Sequence, residues 1–476
     1  MNSLKRLCLV LITFAIAAKF YGLTDPWKIH DHYNFGGVWT TTYAECLKQT
    51  PLSVSKGIPH VKCWEAQPSY YQAHPPSILF AMWGWTSIFG SSEASYRGFI
   101  LLFSALNVLL VFLIARRARP DSEIFPYLAA VFQSGFLGGI YFGTHPDFIG
   151  EFTVFFVLAS ALFAMQRKLT LAAVFALLAG ISAWPGYIAF APLWLYTWRI
   201  GLGRKRVFAF GALGILVALG TMMWLHQTFD ITEFLHHKIL DPGYISPREK
   251  GMLEPFYLFE NVIKSLARLL SPLFATWAFS GAAFLLLQSK SEHFQNAVWL
   301  SGGTGLVYLL IGHEYFMVHV FLYLLLIPGL ALLAARFAEA LFDGSLVLTR
   351  RRKVIATVFV LLLTSFYPYG IFQSNRIHDA INSAAFILAS LAWITWLWKS
   401  RRSCSQTTVA TLIAISVLTN ISQMINYRNE PDTERSFCEK ARLEFKRTGQ
   451  PVVTEEEESS AKDFLYCRDI PVIYRH

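Results

Sequence analysis

Apolar runs long enough to cross a membrane recur along almost the whole of this chain. A membrane-spanning helix needs about 20 mostly apolar residues, and we count about thirteen candidate runs, several of them shorter than this. They cover approximately 5–23, 97–115, 123–142, 148–165, 169–184, 186–200, 207–226, 265–288, 296–312, 317–341, 354–372, 380–398 and 406–425. Only 15% of the residues are charged, whereas a soluble domain has about 25%. The pattern predicts an all-α polytopic membrane protein.

Clusters of lysine and arginine lie between these runs and determine the predicted orientation. They are Lys5-Arg6, Arg116-Arg117, Arg167-Lys168, Arg204-Lys205-Arg206, Arg350 to Lys353 and Arg401-Arg402. All of them fall on one side if the helices alternate, and short cytoplasmic loops carry such an excess. The N-terminus is therefore predicted inside and the C-terminus outside, with the first run an uncleaved span. The net charge of +10 does not indicate nucleic-acid binding, because no basic face tracks a phosphate backbone.

The predicted outer side carries the large loops. We divide the chain into a transmembrane catalytic module over 1–425 and a small outer tail over 426–476. Within the module, a first outer loop covers 24–96 and a second covers 227–264. The segment 76–90 is apolar and aromatic but too short to span, so we expect a helix lying in the membrane interface.

The tail combines a helical pattern at 435–447 with strand-like runs at 451–453 and 471–474, which predicts a small α/β unit. Cysteines also mark the outer side. Cys46 and Cys63 share the first outer loop, and Cys438 and Cys467 share the tail. This placement suits two disulfides in an oxidising compartment, and chance placement is the open alternative.

The strongest cluster of ionisable residues near membrane depth follows the third run. It reads Gly143-Thr144-His145-Pro146-Asp147, with Glu151 four residues later. Proline suits the first turn of a helix, so Pro146 is predicted to open the next helix, with Asp147 and Glu151 on one face. Charged groups at this depth cost free energy and indicate a site. The alternative is that the two acids cap a helix and contact water.

Two motifs in the first outer loop carry a family resemblance. Asp31-His32 with Phe35-Gly36-Gly37, followed by His74-Pro75-Pro76, resembles the first luminal loop of protein O-mannosyltransferases. The wider arrangement is similar to the GT-C glycosyltransferases, including bacterial aminoarabinose transferases of lipid A. These mannosyltransferases commonly have Asp-Glu where this chain has Asp31-His32, so protein O-mannosylation is not singled out. No Trp-Trp-Asp motif is present, which argues against transfer to asparagine.

The resemblance implies a site at the outer face and a sugar carried on a polyprenyl phosphate. Asp31 matches the acid of the first loop and is our candidate general base. Asp147 matches the acid of the next outer loop and is the second candidate catalytic residue. The candidate substrate-binding residues are His32, His74, Arg97, His145, Glu151, Lys264, Arg268, His313 and Tyr315. For the three cations, the alternative is a side chain that snorkels to the headgroups.

No tight metal-ligand spacing such as His-Glu-x-x-His occurs, so the sequence does not by itself call for a cofactor. A divalent metal held by Asp31, His32, His145, Asp147 and Glu151 stays open. The predicted enzyme is a polyprenyl-phosphate-sugar-dependent hexosyl- or pentosyltransferase with a lipid, glycan or protein acceptor. The alternative is a transporter, flippase, polymerase or ligase for a lipid-linked glycan. The expected location is a bacterial inner membrane with the site facing the periplasm, and the endoplasmic reticulum membrane is the alternative.

Overall fold

The computed structural model describes most of the helical core of the chain. The described residues are 2–21, 23, 32–58, 74–147, 150–226, 271, 274–282, 291–311, 320–343, 354, 357, 391, 406–429, 433–450, 452–454 and 472–474. Within them, helices follow one another with short connections. The predicted spans 354–372 and 380–398 lie almost entirely outside the described residues.

The described helices, in chain order, take the labels used below. They are α1 (Asn2–Phe20), α2 (His32–Gln49), α3 (Leu52–Ser55), α4 (Ser77–Phe89), α5 (Glu93–Ala118), α6 (Phe125–Gly135), α7 (Leu137–Tyr141), α8 (Glu151–Met165), α9 (Leu169–Ser182), α10 (Phe190–Arg199), α11 (Arg204–His226), α12 (Glu292–Ile311), α13 (Ile327–Phe342), α14 (Gln406–Asn429) and α15 (Thr433–Thr448). Short 3₁₀ helices cover Phe142–Thr144, Trp184–Ala189 and Val320–Leu325.

Three of the described helices are long and apolar enough to cross a membrane. They comprise Glu93–Ala118, Arg204–Leu225 and Thr407–Ile425. Shorter apolar helices are Ser77–Phe89, Glu151–Met165 and Leu169–Ser182. A helical membrane protein is thus confirmed at this level, and the passage of about thirteen spans through the membrane stays a prediction. The helix expected over 76–90 is present as α4 and packs on α2 and α5, whereas its position in the membrane interface stays a prediction.

The third predicted span, 123–142, is two helices rather than one. α6 ends at Gly135 and α7 begins at Leu137. The Asn420 side chain, fully buried on α14, donates its Nδ2 hydrogen to the Gly135 carbonyl oxygen at 2.7 Å. A carbonyl freed by the break in a buried helix needs such a donor. The sequence shows a continuous apolar run here and does not reveal the break.

Several predicted boundaries shift. In the predicted run 317–341, the residues described from 320 onward form a 3₁₀ segment, Val320–Leu325, followed by α13, which begins only at Ile327. α5 begins at Glu93, where Ser92 caps it by accepting a hydrogen bond from the Ser95 amide. In the tail, α15 covers the predicted helix, and β1 (Val452–Thr454) pairs in parallel with β2 (Val472–Tyr474). A separate tail unit over 426–476 stays a prediction.

The two ends of the core are named here by the orientation predicted from the sequence. At the outer end, α1 ends and α5 and α8 begin; at the inner end, α1 begins and α5 ends. α8 packs between α5 and α9, and α6 packs against α1, α5 and α13. A single cluster of buried apolar side chains runs through these helices. The outer end is where the acid-bearing turn between α7 and α8 lies.

Candidate active site

A tight turn at the outer end holds two of the candidate site residues. The Asp147 amide donates to the His145 carbonyl across Pro146 at 2.9 Å, and the Gly150 amide donates to the Asp147 carbonyl at 3.2 Å. His145 and Asp147 are both buried, each with 3% exposure. A buried carboxylate and a buried imidazole two residues apart are unusual in an apolar setting. The structure therefore places His145 and Asp147 together in one buried turn.

The local geometry differs from the expected one in one respect. Pro146 does not open a helix, because α8 begins at Glu151 with Gly150 as its N-cap residue. The prediction that Asp147 and Glu151 share one helix face is therefore wrong. The turn is closed by the backbone bonds at residues 145–150, so the helix begins five residues later than the proline rule indicates. Asp147 belongs to the turn, and Glu151 belongs to the helix.

The His145 ring has a defined tautomer. Its Nδ1 lies 2.7 Å from the Tyr141 carbonyl oxygen, which accepts only, so Nδ1 carries the proton. In the neutral ring, Nε2 is then the acceptor nitrogen. The ring also stacks on Tyr141 with centroids 4.5 Å apart and 21° between the planes. These contacts fix the orientation of the imidazole before any substrate arrives.

Glu151 lies in a buried polar network rather than on an open face. Its Oε1 accepts from the Ser104 hydroxyl at 3.1 Å, and its Oε2 accepts from Asn107 Nδ2 at 2.5 Å. The Ser104 Oγ in turn accepts from Lys19 Nζ at 2.6 Å. All four side chains are buried, with Lys19 only 1% exposed. A cation and a carboxylate from two helices thus face each other across a serine of a third.

The sequence interpretation missed Lys19, Ser104 and Asn107. A signal was available for Lys19, because a lone lysine in an apolar span requires an acidic partner or a polar neighbour. Ser104 and Asn107 stand three residues apart and therefore on one face of α5. Their spacing predicts a polar stripe on that face, although it does not identify the residue that binds there.

Two further candidates have described side chains. Arg97 lies in the second turn of α5 and is buried, with 4% exposure. Its burial disfavours the alternative of a cation that snorkels to the headgroups. His74 is partly buried and precedes Pro75 and Pro76, just before α4. The first turn of α4 is bound to α9, since the Ser77 hydroxyl donates to the Ile181 carbonyl at 2.8 Å.

The described part of the first outer loop is attached to the bundle by polar contacts. Lys48 Nζ donates to Ser91 Oγ at 2.8 Å, and the Tyr96 hydroxyl donates to Glu45. Trp224 of α11 donates its indole hydrogen to the Lys56 carbonyl at 3.2 Å. Burial raises the pKa of the Tyr43 phenol on α2. The loop is therefore part of the folded bundle at this end.

Cys46 on α2 is disulfide-bonded, and Cys8 is a free thiol. The partner proposed from the sequence, Cys63, lies outside the described residues. Five candidate site residues also lie outside them: Asp31, Lys264, Arg268, His313 and Tyr315. His32 is the first residue of α2, and its side chain is likewise not described. Among the described residues, no group of three His, Cys, Asp or Glu side chains is arranged to hold a metal ion.

Comparisons with known proteins place this geometry in context. No protein-family model and no curated protein matches the chain. Among solved structures, ArnT from Cupriavidus metallidurans in the apo state matches with a TM-score of 0.54 and 14% identity, over 98% of this chain and 85% of ArnT. The GT-C fold expected from the sequence is confirmed.

The GT-C fold is shared with two further solved structures. ArnT bound to undecaprenyl phosphate matches with a TM-score of 0.52 and 14% identity, again over 98% of this chain and 85% of that one. The arabinosyltransferase EmbB from Mycobacterium smegmatis matches with a TM-score of 0.53 and 14% identity, over 89% of this chain but only 40% of EmbB. Identities this low establish the common fold and leave the activity to be argued from the site.

Proposed function

We propose that this chain is a glycosyltransferase that moves a sugar from a polyprenyl-phosphate donor to an acceptor hydroxyl, or amine, on the outer face of the membrane. One observation carries the proposal. A buried turn with His145 and Asp147 lies at the outer end of a bundle whose fold matches ArnT over 98% of this chain. One of the matched ArnT structures holds undecaprenyl phosphate, a lipid whose tail requires a site at the membrane surface.

The proposed reaction assigns a distinct part to each acid. The acceptor oxygen forms a bond to the anomeric carbon, the bond from that carbon to the phosphate oxygen breaks, and polyprenyl phosphate leaves. A base must take the acceptor proton in the transition state, and Asp31 is the proposed base. Asp147 would stabilise the positive charge that develops on the sugar or orient the acceptor. A fixed carboxylate in a water-poor site is effective at this, because its charge needs no reorganisation.

The departing phosphate needs a compensating charge or a hydrogen-bond donor. Arg97 is the candidate among the described residues, because it is buried at the outer end of α5 and directly follows the first outer loop in the sequence. A guanidinium stays charged and matches phosphate geometry. Lys264 and Arg268 are further candidates, four residues apart in the sequence. His145, with its oriented ring, is proposed to accept a hydrogen bond from a substrate hydroxyl through Nε2. The proposed roles of His32, His74, His313 and Tyr315 are to donate to or accept from substrate hydroxyls.

The sugar and the setting belong to the same proposal. A hexose or a pentose fits the proposed chemistry equally well, and the acceptor is a lipid, a glycan or a protein. We place the protein in a bacterial inner membrane with the site toward the periplasm. The oxidised Cys46 supports an outer-loop position for α2, since disulfides persist in oxidising compartments.

One observation favours a transporter of a lipid-linked glycan as second candidate. The third span is broken at Gly135, within the bundle, and broken helices are typical of transporters. In transporters, however, ionisable residues gather at the bilayer midplane. Here the break itself is capped by the neutral Asn420, and the buried charges of Lys19 and Glu151 lie at the outer end.

The test is a transfer assay with the purified protein in detergent or nanodiscs. Radiolabelled polyprenyl-phosphate sugars would be supplied as a panel, with and without chelator, and release of polyprenyl phosphate would be measured. Release from at least one donor supports the proposal, and loss of release with chelator would add a metal requirement. A folded protein that releases nothing from any donor, yet moves a lipid-linked glycan across proteoliposomes, would replace it with the transporter.

A further inference from the structure

The buried network beneath the acid-bearing turn has no place in the proposed chemistry. Lys19 of α1, Ser104 and Asn107 of α5, and Glu151 of α8 are joined by hydrogen bonds of 2.5–3.1 Å. Asn107 Nδ2 also donates to the backbone carbonyl of Glu151 at 2.9 Å. The network therefore holds both the side chain and the main chain of the first residue of α8. That residue lies four positions after Asp147.

The donor and acceptor roles in this network agree with one another from Lys19 to Glu151. An ammonium group only donates and an ionised carboxylate only accepts. Lys19 therefore donates to Ser104, which is left to donate its own hydrogen to Glu151. Hydrogen bonds with ionised partners are stronger than neutral ones. The charges of Lys19 and Glu151 are thus connected inside the bundle through the Ser104 hydroxyl.

The network also contacts the other side of the turn. A Cβ built on Gly143 would lie 2.9 Å from Lys19 Cδ, 2.9 Å from Ser104 Oγ and 3.1 Å from Lys19 Nζ. Real Cβ atoms almost never approach so closely, so any larger residue at position 143 would force the Lys19 and Ser104 side chains to shift. Gly143 lies two residues before His145. The backbone of the turn is therefore held from both flanks, by Gly143 before it and Glu151 after it.

An aromatic contact between α5 and α8 lies beside the polar network. Phe103 and Phe152, the neighbours of Ser104 and Glu151, pack edge to face with ring centroids 4.8 Å apart. This contact orients α5 against α8, because such ring pairs have a preferred geometry. The helices that carry the network consequently have little freedom to slide past one another at this end.

We infer that Lys19, Ser104, Asn107 and Glu151 are positioning residues that fix the place of His145 and Asp147 for the transfer reaction. Glu151 on this account does not contact substrate. The inference rests on the proposed function for its effect on catalysis, whereas its structural part stands independently of it.

The test uses two conservative variants, each with a matched control. Ser104→Ala removes the bridge between the charges, and Ser160→Ala is its control, because Ser160 is also buried and donates to the Ala172 carbonyl at 2.8 Å away from the turn. Gly143→Ala places a methyl group against Lys19 and Ser104. Gly220→Ala on α11 is its control, since nothing lies within 4 Å of a Cβ there.

Two readouts separate positioning from folding. Hydrogen–deuterium exchange of peptides covering 142–151 should quicken in both test variants and in neither control, while exchange in α9 and α13 stays unchanged. In the transfer assay, kcat should fall by roughly 10- to 100-fold with the donor KM unchanged, because small misplacements of reacting groups are this costly. The controls should keep the wild-type kcat.

Each outcome is decisive. Unchanged exchange at 142–151 in both test variants would overturn the inference, and so would altered exchange with an unchanged kcat. A global rise in exchange in one variant shows a folding defect there, and the other variant then decides. If the wild-type protein transfers no sugar while local exchange responds as expected, the proposed function fails and the structural part of the positioning account survives.

Discussion

The two ends of the helical bundle use buried charge in different ways. At the inner end, Glu339 of α13 lies between Arg119 at 3.3 Å and Arg336 at 3.0 Å. At the outer end, Glu151 faces Lys19 through a serine, directly below the turn with His145 and Asp147. The inner cluster joins α5 to α13, and the acids that follow these helices, Asp121 and Asp343, are exposed rather than buried. Charge therefore serves assembly at one end and, in our account, the reaction at the other.

The largest effect is expected for the proposed base. Asp31→Asn should lower the transfer rate by roughly 10²- to 10⁴-fold, the share that a general base supplies, with an unchanged melting temperature. The rate is measured as polyprenyl phosphate release. Asp121→Asn, an exposed acid in the inner loop after α5, is the control and should leave the rate unchanged. A fully active Asp31→Asn variant would remove the assignment of the base.

A second prediction concerns the inner cluster. Glu339→Gln leaves two arginines without their carboxylate in a site where the glutamate side chain is only 5% exposed. Breaking such a buried group should reduce the free energy of unfolding by roughly 3 kcal/mol, visible as a lower melting temperature. The kcat of the protein that remains folded should not change. A variant with normal stability but reduced kcat would undo the contrast between the two ends.

A third prediction tests the break in the third span. Asn420→Ala removes the donor to the Gly135 carbonyl and leaves a buried oxygen unsatisfied, which should cost about 1–3 kcal/mol of unfolding free energy. Asn296→Ala is the control, because its Oδ1 accepts only a long bond of 3.5 Å from Arg199 near the surface. Equal melting temperatures for the two variants would show that the cap at Gly135 contributes no stability.

The smallest effect is expected at the surface. Glu123 forms an ion pair with Lys5 and is 58% exposed. Glu123→Gln makes the same chemical change there as Glu339→Gln makes in the buried cluster. Solvent screens such pairs, so the free energy of unfolding should change by about 0–1 kcal/mol. Thermal melts at low and high salt would measure this. A loss as large as that of Glu339→Gln would mean that burial does not distinguish the two pairs.

The sequence predicts the helical membrane architecture well because long apolar runs have few alternatives. It also selects His145 and Asp147 as candidate site residues, since ionisable residues beside an apolar run are conspicuous, and their role stays a prediction. It does not predict that Pro146 stays outside α8, because the turn depends on backbone bonds that residue preferences do not encode. Nor does it pair Lys19 with Glu151, which are far apart in the chain and meet only when α1, α5 and α8 pack together.

The most direct test of the central claim compares two acids in one assay. Asp147→Asn alters the buried turn at the outer end, and Asp343→Asn alters an exposed acid just after α13 at the inner end. With a polyprenyl-phosphate sugar as donor, our account predicts that release of polyprenyl phosphate falls by a large factor in Asp147→Asn and stays at the wild-type level in Asp343→Asn. Wild-type release by a folded Asp147→Asn variant would contradict the assignment of the active site to this turn.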